Sequence, residues 1–146
     1  MYEASGRIRR KSVVRRYSLC EVFVRRILPA LRALLARELI GGHGLTQLEV
    51  SRLLGVSQPL INYYLTGRRK VPNVDTLAEC PKVVSVVRTV ARLISSEGLG
   101  GGRTSNIACV LCTALRNSGA LTEALRACGV SEDEIEYPAC GEGAHQ

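Results

Sequence analysis

Residues 55–70 read GVSQPLINYYLTGRRK, and two amides and three cations stand out in them. Gln58 and Asn62 are four residues apart, so on a helix they lie on one face. Gln and Asn are the side chains that bond bidentately to adenine, and a DNA major groove admits one α-helix. Tyr63 lies beside them, and Arg68, Arg69 and Lys70 close the segment. Arg suits two-point contact with phosphate and guanine. The chemistry on offer is recognition of a nucleic acid.

Such readers work only if a helix presents them, and the flanking residues supply one. Leu45 to Leu54, LTQLEVSRLL, has helical spacing, with Thr46 placed to cap a helix over 46–54. Leu45, Leu48, Val50, Leu53 and Leu54 are its expected apolar contacts. Gly55 can take the positive φ of a tight turn, Val56 can plug the space between two helices, and Ser51 is small enough to let them approach. Ser57 then caps a second helix over about 57–66, with Pro59 in its first turns, where a missing N–H costs little. Leu60, Ile61, Tyr64 and Leu65 point one way, and Gly67 ends the helix. Two helices joined by a three-residue turn of this kind cross at a steep angle, as in a helix-turn-helix.

Upstream, Cys20 to Leu28 has helical spacing and Pro29 follows. The pattern predicts helices over about 19–28 and 29–40, or one helix kinked at Pro29. Leu31, Leu34, Leu35 and Leu39 form an apolar stripe, with Arg32 and Arg37 off it. Gly41, Gly42 and Gly44 are expected to stop that helix. Downstream, a short helix is expected over 74–80. A long amphipathic helix follows over 82–96, carried by Val83, Val86, Val87, Val90, Leu93 and Ile94; this stripe is the expected dimer surface, with intramolecular core as the alternative. Residues 98–103, GLGGGR, read as a linker. Thr104 or Ser105 should cap a helix to about Asn117, a further helix should run over 120–128, and Ser131 should cap a last one.

These motifs resemble a known class. Thr46-Gln47, Ser51, Leu54-Gly55-Val56-Ser57, Ile61-Asn62 and Gly67-Arg68-Arg69 look like the XRE/phage-repressor class of helix-turn-helix regulators, over about residues 28–70. The run from Cys20 to Ile40 leading into Gly44–Arg69 also resembles a group of small archaeal predicted transcriptional regulators. The resemblance implies a lambda-repressor-like fold and binding of double-stranded DNA as a homodimer. It implies that Gln47 bonds a phosphate and braces the recognition helix, and that Ser57 caps that helix and reaches a phosphate. Gln58, Pro59, Asn62 and Tyr63 fall on its base-facing positions, and Arg68, Arg69 and Lys70 on the backbone beyond. Pro59 and Tyr63 stand where phage repressors often carry polar readers.

Charge is distributed to match. The 146-residue chain has a net charge of +7. Residues 1–70 hold 14 Lys/Arg against four Glu, and residues 71–146 hold 6 against 9 acids, so the halves carry +10 and −3. A basic half joined to a mildly acidic one suggests a polyanion-binding part and a part with another task. No apolar run reaches the ~18 residues of a membrane span, and no secretory signal pattern is present, so a cytoplasmic protein is expected. No Ser/His/Asp set, carboxylate pair or HExxH occurs, and an enzyme is not expected.

The six cysteines leave three readings open. Cys109 and Cys112 lie three apart, and Cys128 and Cys140 could complete a Zn²⁺ or Fe–S site. The spacing is not that of a zinc ribbon, and the pair lies in an apolar helix. Core thiols and a disulfide are the other readings, and no cofactor is expected. The expected whole is an all-α protein: a basic arm over 1–18, a helix-turn-helix domain over 19–70, a helical dimerisation or sensor region over 71–137, and a tail over 138–146. It is expected to be a sequence-specific transcriptional regulator with an unassigned effector. The rival readings are a non-specific, architectural nucleic-acid binder and an antitoxin-like protein-interaction module.

Overall fold

A computed structural model describes residues 17–67, 70–97 and 106–136. Residues 1–16 of the expected basic arm, Arg68, Arg69, residues 98–105 with the expected 98–103 linker, and residues 137–146 with Cys140 lie outside the described residues. The fold is all-α, apart from a two-residue parallel pairing of β1 (Tyr17–Ser18) with β2 (Ile135–Glu136).

The first helical stretch is continuous and irregular. Ser18 caps α1 (Leu19–Val22) by accepting the Glu21 amide at 3.1 Å. The chain passes through a π-helical turn at Phe23–Ile27 and runs on as α2 (Leu28–His43). Pro29 accounts for the irregularity. It has no N–H to offer the carbonyl four residues back, and its ring crowds that carbonyl, so the preceding turn widens. Of the two expected forms, one helix perturbed at Pro29 is the one formed. Gly41 and Gly42 do not stop it. Glycine retains its N–H and only weakens a helix, and the end comes at Gly44, where φ reaches 73°.

The next elements are α3 (Gln47–Leu54), α4 (Gln58–Thr66), α5 (Val74–Ala78) and α6 (Pro81–Glu97). They are followed by α7 (Ile107–Ser118) and α8 (Leu121–Ala127). The cap of α7 is Asn106, whose side chain accepts the Ala108 amide at 2.8 Å, rather than Thr104 or Ser105. Ser131 does not start a helix. It accepts the Asp133 amide, and the chain makes one 3₁₀ turn (Glu132–Glu134) before β2. Pairing with Tyr17 and Ser18, and burial of Ile135, outweigh the local helical preference of SEDEIEY.

One aliphatic core joins these elements. α2 lies at its centre, against α3, α4, α5 and α6, and α6 in turn carries α7 and α8. Val83, Val86, Val87, Val90 and Ile94 of α6 are buried in this core, so the stripe is intramolecular packing; Leu93 is exposed. On the far side, Arg26 donates from Nη2 to the Cys128 carbonyl at 2.7 Å, and the Arg26 carbonyl accepts from Asn73 Nδ2 at 3.4 Å.

Two outcomes follow. Leu39 is fully buried in α2, so Leu39→Ala should destabilise the protein by about 2–5 kcal/mol, read from the urea midpoint at constant slope. The Cys128 thiol is pushed up to about 11 from 9.0 by burial, against a smaller opposing pull from Arg26. The folded state therefore holds that proton more tightly than the unfolded chain does. Its contribution is intact below pH 9 and declines as pH rises from 9 to about 11. Replacing Cys128 with Ala should flatten that part of the stability–pH curve.

Candidate nucleic-acid interface

The interface is built from two short helices and the turn between them. Thr46 accepts the Glu49 amide at 3.1 Å, and Glu49 Oε1 accepts the Thr46 amide at 2.8 Å, a reciprocal capping box. The signal was in the sequence as Thr-x-x-Glu. α3 ends at Gly55, whose φ of 69° reverses the chain, and the Val56 amide returns to the Ser51 carbonyl at 3.1 Å. Ser51 is buried, and its hydroxyl donates to the Leu48 carbonyl at 2.8 Å. Ser57 then caps α4 by accepting the Leu60 amide at 3.3 Å, and Gly67 closes it with φ 71°.

α4 has two faces. Ile61 and Tyr64, 0% and 4% exposed, seat it on the core, and Leu60 and Leu65 pack at the margins. Gln58 and Pro59 are exposed at its N-terminus, and Asn62 and Tyr63 are half-buried one turn on. The four expected base-facing residues thus share one surface of one helix. Thr66 continues it, exposed, with Oγ1 donating to the Asn62 carbonyl at 2.9 Å. Thr66 was not anticipated, although its place four residues after Asn62 marks it. Lys70 is exposed beyond the C-terminus.

One expectation changes. Leu48 was expected to pack, but it is 44% exposed on α3. Gln47 is half-buried at the start of α3. A tie to α4 comes from α2, where Arg37 Nε donates to the Tyr64 carbonyl at 3.1 Å. Burial raises the Tyr64 phenol above its usual range, and the positive charge of Arg32 partly opposes this. α2 therefore faces Tyr64 with two cations.

The cysteines are dispersed over the helices. Cys109 is exposed on α7, while Cys112 and Cys128 are buried. Cys80 forms a weak bond to the Thr76 carbonyl at 3.5 Å, and its thiol is raised by burial and by Glu123 and Glu79. Among the described residues, no three His, Cys, Asp or Glu side chains are grouped to hold a metal ion.

Nothing lies within 4 Å of a Cβ built at Gly55. Gly55→Ala should therefore register the backbone cost alone, about 1–2 kcal/mol, in thermal unfolding. An unchanged midpoint would mean that the turn does not need its left-handed residue.

Residues 36–85 match the family described as helix-turn-helix, from the second half of α2 into the start of α6. No curated protein matches the chain, and no solved structure matches it. Among the described residues, no helix is long and apolar enough to cross a membrane. Together with the capped α3–turn–α4 geometry, the match identifies residues 36–85 as a DNA-binding helix-turn-helix domain of the XRE class, the kind used in transcription regulation.

Proposed function

We propose that the protein is a sequence-specific transcriptional regulator that inserts α4 into the DNA major groove and binds as a homodimer. The observation that carries this reading is the single outward face of α4, where Gln58, Pro59, Asn62 and Tyr63 lie together opposite the buried Ile61 and Tyr64. Gln58 and Asn62 bond base edges, and Pro59 and Tyr63 meet thymine methyl groups or sugars. Gln47, Ser57, Arg68, Arg69 and Lys70 contact phosphates, so affinity falls steeply with salt. Two copies of α4 enter successive major grooves about 34 Å apart. With the apolar stripe of α6 already buried within the chain, dimerisation uses another surface.

The test is selection of bound fragments from sheared genomic DNA at physiological salt, followed by sequencing. A recurrent palindromic or repeated site is expected. Asn62→Ala should then cost about 1–3 kcal/mol at one base position and leave random DNA unaffected. Uniform recovery of fragments would replace this reading with an architectural one.

A further inference from the structure

Apolar burial of Ile61 and Tyr64 sets which face of α4 turns inward, but because the hydrophobic effect has no direction it fixes the rotation only coarsely. A helix of nine residues anchored mainly by Ile61 and Tyr64 needs a directional contact if Gln58 and Asn62 are to keep one aim. That contact is present. Tyr64 lies in the last turn of α4, where four carbonyls lack an intrahelical partner. The Gly67 amide takes the Tyr63 carbonyl at 3.0 Å, and Arg37 Nε takes the Tyr64 carbonyl at 3.1 Å. A cation at the negative end of a helix dipole is favourable. Here it comes from α2, the helix at the centre of the core.

We infer that Arg37 is a positioning residue: it locks the rotation of α4 on α2, and so sets the aim of Gln58 and Asn62, acting through the helix rather than through DNA. This rests on the proposed reading by α4, so the wild-type protein is tested for site preference first. Absence of preference there would overturn the parent reading, whatever Arg37 does.

The Arg37 role has its own readouts. In Arg37→Ala, the ratio of site-specific to random DNA affinity should fall about tenfold, the order expected for loss of a hydrogen bond from a charged donor. Random-DNA affinity and the salt slope should stay as in wild type. Arg37→Lys, which can still donate to the carbonyl, should recover part of the ratio. Without DNA, amide exchange at the C-terminal turn of α4 should quicken in Arg37→Ala and not in Arg37→Lys. If the Ala variant does not fold, Arg37→Gln, with a donor but no charge, takes its place in every arm, with Arg37→Met as its donor-free control. A salt slope reduced by about one unit with the ratio preserved would make Arg37 a phosphate contact and overturn the inference. Unchanged exchange and an unchanged ratio would overturn it as well.

Discussion

A helix of nine residues does not persist alone in water. Burial of Ile61 and Tyr64 against α2 is therefore the interaction on which the rest depends. It brings α4 to the molecule, and it decides which side chains of α4 face outward. Without it the amides of Gln58 and Asn62 would have no common direction, however well spaced in the chain.

The ends of the short helices matter almost as much as their faces. A helix of eight or nine residues leaves nearly all its backbone groups near a terminus. The chain answers with side chains at the N-termini, Thr46 with Glu49 on α3 and Ser57 on α4. It answers with left-handed glycines at the C-termini. The turn at Gly55 does both tasks at once: it ends α3 and sets the crossing of α4. Arg37 completes the set by satisfying a terminal carbonyl of α4 from another helix.

The acidic C-terminal half backs this arrangement. α6 packs its apolar stripe along α2 on one side, while α3, α4 and α5 occupy others. α7 and α8 cover α6, and the Cys128 carbonyl receives Arg26 from the π-helical turn. The same turn offers its Arg26 carbonyl to Asn73, where the chain enters α5. The region beyond α4 is thus continuous with the helix that holds α4, and the family match extends to residue 85.

Local signals were enough for much of this. Capping residues, terminal glycines and apolar spacing mark α3, α4 and their turn because each acts within a few residues of itself. The shared face of Gln58 and Asn62 follows from helical spacing alone. Other features depended on partners distant in the chain. Whether the α6 stripe faced another copy or its own α2 was decided by packing between helices that lie far apart in the chain, Leu28–His43 and Pro81–Glu97. SEDEIEY could have been helical, but β1, more than a hundred residues earlier, paired with its end. Arg37 looked like a surface cation because it falls off the apolar stripe of α2. Only the tertiary structure placed it on the Tyr64 carbonyl, since a backbone acceptor 27 residues away leaves no mark in the sequence.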